Sequence, residues 1–294
     1  MQDICVFSSS VPDHDWHHLF TEIAKSYQLE AFQVLSTGSN GRWAAEARGT
    51  LSSKDLAHLR AQYPMDVNCI VAEGRQKQLL IADMDSTIIR QESLDHLAYI
   101  AGKGDEIAAI TAAAMAGDLD FEQALDKRLS MLAGESAQLL EQVIAETTIT
   151  DGAAELVGTM RANGAKCYLV SGGFTFLTGP ISKTLGFHGH FANKLLLDGD
   201  QLAGSVEKPI LDRDAKLVRL NALTSEFGLT VDEAATIGDG ANDLAMLKAA
   251  GLGVAFEGKA LLREQINIQL NHTDLTGLLF LQGYHEESFT CHAI

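Results

Sequence analysis

The 294-residue sequence predicts an α/β fold, a Rossmann-like parallel sheet with an inserted helical cap, preceded by a small α+β domain of ferredoxin-like order. Three observations carry that prediction. Short apolar runs at residues 79–82, 167–170 and 234–237 each pass directly into polar residues, as strands of parallel sheets do at the carboxyl ends where their chemistry sits. Between the first two, from about residue 92 to residue 150, the apolar period is helical throughout, which is more helix than one crossover needs. Ahead of all three, residues 1–76 alternate between strand and helix patterns in the order βαββαβ.

In that first part, Ile4-Cys5-Val6-Phe7 predicts a strand, and residues 15–27 a helix with Trp16, Leu19, Phe20 and Ile23 on one face. Phe32-Gln33-Val34-Leu35 predicts a second strand and residues 43–48 a weak third. Residues 54–62 follow as a helix stopped by Pro64, and residues 67–72 as a last strand. Residues 73–78 are polar and contain Gly74, the composition of a short linker, so the domains divide as 1–76 and 77–294.

The helical stretch shows apolar residues at Leu94, Leu97, Ala98 and Ala101, at Ile107 and Ile110, at Phe121, Leu125, Leu129 and Leu132, and at Leu139, Leu140, Val143 and Ile144. Gly102, Gly117 and Gly134 fall at the breaks, as at helix ends. A bundle inserted after the first strand of the sheet predicts a cap over the carboxyl ends. Beyond it the pattern predicts a helix ending at Gly164, a hairpin over 195–202 with an Asp-Gly turn and a helix carrying Lys216. A helix over 243–250, a strand over 252–256 and an apolar helix over 274–284 complete the chain. The pairs Asp118/Asp120 and Asp198/Asp200 are read as turns.

Composition excludes several classes. With 46% hydrophobic and 21% charged residues the chain is an ordinary globular one. Its formal charge of −17 and its lack of a basic run argue against a nucleic-acid partner, because such affinity rests on cationic contacts to phosphates. No basic leader followed by an apolar segment and no apolar run of membrane-spanning length is present, so no membrane partner and a cytoplasmic location are expected. Cys5, Cys69, Cys167 and Cys291 lack Cys-x-x-Cys spacing and are read as reduced thiols. His17-His18 and His188-Gly189-His190 have no companion ligand set, which argues against a histidine metal site.

The motifs carry the function. Asp83-Met84-Asp85-Ser86-Thr87, Leu169-Val170-Ser171-Gly172-Gly173, Lys216 and Gly238-Asp239-Gly240-Ala241-Asn242-Asp243, in that order, resemble the four motifs of the haloacid dehalogenase (HAD-like) superfamily of phosphohydrolases. Within it, residues 88–95, 120–128 and 170–175 are similar to the phosphoserine phosphatase family. The resemblance spans roughly residues 79 to 285. It implies Mg²⁺-dependent hydrolysis of O-phospho-L-serine to serine and phosphate, in serine biosynthesis, through an aspartyl phosphate.

Site roles follow from the resemblance, and the chemistry of each residue type is compatible with them. Asp83 would be the nucleophile, and Asp85 would protonate the leaving alcohol and then activate water. Asp83, the backbone carbonyl of Asp85 and Asp239 would hold Mg²⁺, with Asp243 supporting that shell. Ser171, the Gly172 amide and Lys216 would bind phosphate oxygens at a strand-to-helix junction, with Asn242 adding a polar contact. Glu92 would meet the substrate ammonium and Arg128 its carboxylate, a bidentate match.

Other readings are weaker. An EF-hand loop fails because Asp83 follows a strand and the required glycine and distal glutamate are missing; Leu169 stands where a nucleophile elbow needs glycine. The alternatives kept are a related phosphatase or phosphotransferase acting on another small ester, and an idle amino-acid sensor built on residues 1–76, whose element order is that of ACT-like regulatory modules. A scaffold or homodimer-forming role for that part is the plainer reading.

Overall fold

The computed structural model describes residues 3–12, 14–115, 121–212 and 214–291; Gly117 and the Asp118/Asp120 pair lie outside the described residues. Chain order opens with β1 (Asp3–Ser9), α1 (Trp16–Ser26), β2 (Glu30–Thr37), β3 (Trp43–Arg48), α2 (Ser53–Gln62) and β4 (Asp66–Val71). These strands form an antiparallel sheet of order β2-β3-β1-β4, the ferredoxin-like arrangement expected. Each helix starts where its side chains dictate. The Asp15 carboxylate accepts from the His18 amide at 3.1 Å, and Ser52 and Asp55 form a reciprocal cap.

Both faces of this sheet are buried. Phe7, Trp16, Phe20, Ala45, Leu59 and Val67 pack between sheet and helices, whereas Ile4, Val6, Leu35, Ala44 and Ile70 on the other face join the main core. The face an independent module would leave free is therefore covered by the rest of the chain.

The second sheet follows β5 (Leu79–Ala82). Helices α3 (Ser93–Ile100), α4 (Gly104–Met115), α5 (Phe121–Ser130) and α6 (Gln138–Glu146) are the inserted cap, with positive φ at Gly102 and Gly134 between them. The chain returns through α7 (Ala153–Ala162), β6 (Lys166–Phe174), α8 (Thr175–Leu185) and β7 (Gly189–Asn193), then makes the hairpin β8 (Leu195–Asp198) and β9 (Gln201–Val206). It finishes with α9 (Ala215–Phe227), β10 (Ala234–Gly238), α10 (Leu244–Ala249), β11 (Leu252–Phe256), α11 (Ala260–Gln265), β12 (Gln269–Leu270) and α12 (Gly277–Leu281). The sheet is parallel, in the order β12-β11-β10-β5-β6-β7.

Several expectations need correction. The second of the three motif strands does not stop at Val170; β6 runs through Ser171-Gly172-Gly173 to Phe174 and passes directly into α8 at Thr175, so the strand-to-helix junction expected there is present but falls a few residues later. The final helix covers five residues instead of 274–284, because the Asp274 side chain binds the Thr276 amide at 2.9 Å ahead of it and Gly283 turns the chain at φ +80°. The hairpin turn is Gly199-Asp200, one residue later than predicted, since Asp198 pairs with Gln201. Helices α8 and α11 and strands β7 and β12 had no clear pattern; α8 contains Pro180, and β12 has two residues.

The predicted linker is pinned. Arg75 pairs with Glu46 at 2.6 Å, the Lys77 amide donates to Gln282 Oε1 at 2.9 Å, and the Lys77 ammonium donates to the Asp232 carbonyl at 2.7 Å.

Candidate active site

From β5 the chain builds β6 and β7 on one side and then β10, β11 and β12 on the other, so strand order reverses beside β5. Open α/β sheets leave a crevice at such a point, at the carboxyl ends. Asp83 is the first residue beyond β5, and Asp239 the first beyond β10.

After Asp83 the chain makes one wide turn, closed by the Ile89 amide donating to the Met84 carbonyl at 3.0 Å, with Ser86 at φ +52°. This turn aims Asp85 back over the sheet. Its Oδ1 accepts from the Ser93 amide at 2.8 Å and its Oδ2 from the Ser171 hydroxyl at 3.3 Å. A Cβ on Gly173 would lie 2.6 Å from Asp85 Oδ2, so the second glycine of Ser-Gly-Gly makes room for that carboxylate. The Gly173 amide donates to Ser171 Oγ at 2.8 Å, and Asn193 Nδ2 holds the Gly172 carbonyl at 2.8 Å.

Behind the crevice lies a buried ion cluster. The Lys216 ammonium sits 2.7 Å from Asp83 Oδ1 and 2.6 Å from Asp243 Oδ1. Asp83 Oδ1 also accepts from the Met84 amide at 2.7 Å, and Asp243 Oδ2 from the Gly240 amide at 3.0 Å. A Cβ on Gly238 would meet the Asp243 carboxylate at 2.2 Å, which requires glycine ahead of Asp239. One ammonium does not neutralise two buried carboxylates. Burial, then the Asp243 charge, therefore raises the Asp83 carboxyl well above its ordinary range despite Lys216. Burial and then Glu92 lift Asp85 to about 6, with the Ser93 hydrogen bonds pulling the other way. Burial alone would lower Lys216, but Asp243 and Asp83 hold it above the usual lysine value, so it stays protonated.

The same excess of negative charge suits a cation. Carboxylate oxygens of Asp83, Asp239 and Asp243 lie within 4.8 Å of one another, a hard donor set of the kind Mg²⁺ takes. Asp243 already engages Lys216 and Gly240 through its two oxygens, whereas both contacts to Asp83 fall on Oδ1.

In front is a cavity of about 130 Å³, lined among others by Asp83, Asp85, Glu92, Arg128, Gly172, Asp239, Asn242 and Lys259. Cap and sheet thus contribute to one space. Glu92, at the start of α3, accepts from the Ser86 hydroxyl at 3.0 Å and from the Lys259 ammonium at 3.2 Å. Among the described residues, the Arg128 guanidinium contacts are long: the Ala124 carbonyl at 3.4 Å, Thr111 Oγ1 at 3.5 Å and Asp95 Oδ1 at 4.0 Å. Ser171, Lys216 and Asp243 stand behind the cavity, with Ser171 bonded to Asp85, Lys216 to Asp83, and Asp243 to Lys216. Sequence reasoning missed Asn193 and Lys259. For Lys259 the available signal was a lysine two residues after an acidic turn at the end of a strand, on the edge that carries Asp239.

Residues 80–248 match the family model of haloacid dehalogenase-like hydrolases. The chain belongs to that family. Among curated members of the family, a phosphoserine phosphatase of Lactococcus lactis subsp. lactis is 38% identical over 203 residues, covering 69% of this chain and 94% of that protein. A phosphoserine phosphatase of Streptomyces coelicolor is 41% identical over 235 residues; the match covers 79% of this chain but spans only 57% of that relative's length. A HAD family hydrolase structure from Salmonella enterica serovar Typhi superposes with a TM-score of 0.85 at 26% identity, over 95% of this chain and 98% of that one, so the likeness includes the N-terminal sheet. Among the described residues no helix is long and apolar enough to cross a membrane.

Proposed function

We propose that this family member is an Mg²⁺-dependent phosphoserine phosphatase, with residues 1–76 as an N-terminal domain and residues 77–294 as the catalytic one. The observation that carries the reading is one small cavity where Asp83, Asp85 and Asp239 from strand ends face Glu92 and Arg128 from the cap. The similarity to proteins named phosphoserine phosphatase supports the same substrate.

In the proposed reaction an Asp83 oxygen attacks phosphorus and the ester P–O bond breaks. Asp85 gives its proton to the departing serine oxygen, for which a carboxyl near 6 is well matched. Water then gives a proton back to Asp85 and attacks phosphorus, breaking the bond to Asp83 and releasing phosphate. Lys216 keeps Asp83 oriented and offsets part of the charge that gathers on the transferring group. Asp83, Asp239 and the Asp85 carbonyl would hold Mg²⁺, which when bound polarises the phosphoryl oxygens. Glu92 and Arg128 would bind the ammonium and carboxylate of the amino acid while the cap excludes water.

The test is comparative turnover of phosphoserine, phosphothreonine and sugar phosphates with Mg²⁺. Phosphoserine should show the highest kcat/KM. Equal or greater turnover of a sugar phosphate would reassign the substrate, and no Mg²⁺-dependent phosphate release from any ester would overturn the enzyme reading.

A further inference from the structure

Lys259 stands at the mouth of the cavity and has no part in the chemistry above. Local backbone delivers it there. Strand β11 ends at Phe256, Glu257 takes φ +43°, a left-handed conformation that residues with side chains rarely adopt, and the Lys259 amide donates to the Asp239 carbonyl at 2.9 Å. The lysine is thereby fixed beside the end of β10. Its ammonium lies 3.0 Å from Asp239 Oδ2 and 3.2 Å from Glu92 Oε1, one carboxylate from the sheet and one from the cap.

Those two carboxylates have other proposed partners. Asp239 belongs to the oxygen cluster suited to a divalent cation, and Glu92 is the group assigned to a substrate ammonium. Lys259 offers each a rival of matching chemistry: positive charge to Asp239 and a primary ammonium to Glu92. Its side chain is 56% exposed, so an exit into solvent is open and the pairing is screened rather than locked.

We propose that Lys259 is a tethered competitor: its ammonium clips the cap carboxylate Glu92 to the sheet carboxylate Asp239, and it yields both when a divalent cation and an ammonium-bearing phosphate ester bind. The inference rests on the metal and substrate assignments of the proposed function. It makes Lys259 a specificity-determining residue, because an ester with an ammonium replaces the lysine on Glu92 with like for like, whereas an ester without one leaves that carboxylate paired to the protein.

The experiment titrates the full chain with Mg²⁺ alone and follows the thermal unfolding midpoint, for wild type, Lys259→Met, which keeps the aliphatic stem, and Lys259→Arg, which keeps the charge. Competition predicts that Lys259→Met binds Mg²⁺ about two- to tenfold more tightly and that Lys259→Arg stays near wild type. KM for phosphoserine should fall in Lys259→Met. Unchanged or weaker Mg²⁺ binding by Lys259→Met overturns the proposal, as does a Lys259→Arg variant that behaves like Lys259→Met or a rise in KM that makes the lysine a substrate-binding group. The metal titration needs no turnover, so a chain that shows the Mg²⁺ effect yet hydrolyses no phosphoserine loses the substrate assignment and keeps this one.

Discussion

Two buried aspartates, each at a strand end, have opposite surroundings. Asp66, at the start of β4, is 2% exposed and gives each oxygen to a backbone amide of the other sheet's connection, Oδ1 to Asn271 at 2.7 Å and Oδ2 to His272 at 3.0 Å. Asp83, at the end of β5, is 3% exposed, shares one ammonium with Asp243, and keeps both of its contacts on a single oxygen. Burial raises the carboxyl pKa of each, but amides offset it at Asp66, whereas the Asp243 charge adds to it at Asp83. A buried carboxylate whose oxygens are both engaged by amides stitches a structure together. One crowded by like charge, with an oxygen to spare, is poised to take a cation or attack an electrophile.

The same substitution at the two positions should therefore break opposite properties, and the largest effect belongs to Asp83. Asp83→Asn should lower kcat by about 10³-fold or more, because an amide forms no phospho-enzyme. Its thermal midpoint should not fall. The folded carboxyl titrates above its unfolded value, so ionisation opposes folding as pH rises through that range, and the neutral amide removes that cost. Activity within tenfold of wild type in a phosphate-release assay would end the nucleophile assignment.

Next in size are Glu92 and Arg128, the cap's contribution. Leaving a substrate charge unpaired costs roughly 2–5 kcal/mol in kcat/KM. For Glu92→Gln, phosphoserine should lose far more than a phosphorylated hydroxy acid without an ammonium; for Arg128→Ala, phosphoserine should lose far more than phosphoethanolamine. Equal losses across these substrates would mean that the two residues only hold the cap in place.

At Asp66 the comparison sharpens. Asp66→Asn turns an NH₂ toward a backbone amide and leaves a buried donor without an acceptor, a loss of about 1–3 kcal/mol. The thermal midpoint should drop while kcat stays within about twofold, since Asp66 is remote from the cavity. A kcat loss as deep as that of Asp83→Asn would show that the junction between the sheets governs the site.

The smallest effect is on metal affinity. With the Asp83 and Asp239 carboxyls raised, protons compete with a cation for the cluster at acid pH. Mg²⁺ binding should tighten by about tenfold between about pH 5 and 7, with protons released, as calorimetry in buffers of different ionisation heat would read. Affinity independent of pH would mean that the carboxylates are already ionised.

Much of this was legible in the chain because its signals are local. Strand β5, the Asp83-Met84-Asp85 turn and the Gly238-Asp239-Gly240 turn each announce themselves within about ten residues, by an apolar run that meets acids and glycines. The βαββαβ order of the first part was equally readable, since the apolar face Trp16, Leu19, Phe20 and Ile23 and the helix stop at Pro64 are local signals. By contrast, the end of β6 lies beyond Val170 because pairing with β7 resumes at Phe174 and Asn193 after an irregularity, which a short apolar run does not show, and the last helix is shorter than its apolar stretch because such a stretch does not show where a side-chain cap interrupts it.

What the sequence by itself determined was which residue types stand at which strand ends, in the order that resembles the HAD-like motifs. The tertiary structure decided how those ends are populated. It set one lysine between Asp83 and Asp243, brought Lys259 between Glu92 and Asp239, and placed Asn193 under Gly172. It also closed the N-terminal sheet against the main core, with the Asn68 side chain exchanging two 2.9 Å hydrogen bonds with the Gln269 backbone. The physical reason is range. Caps, turns and periodicity act within a few residues, whereas charge pairing and burial depend on distances in space between residues as far apart as 68 and 269, and only the packed chain sets those.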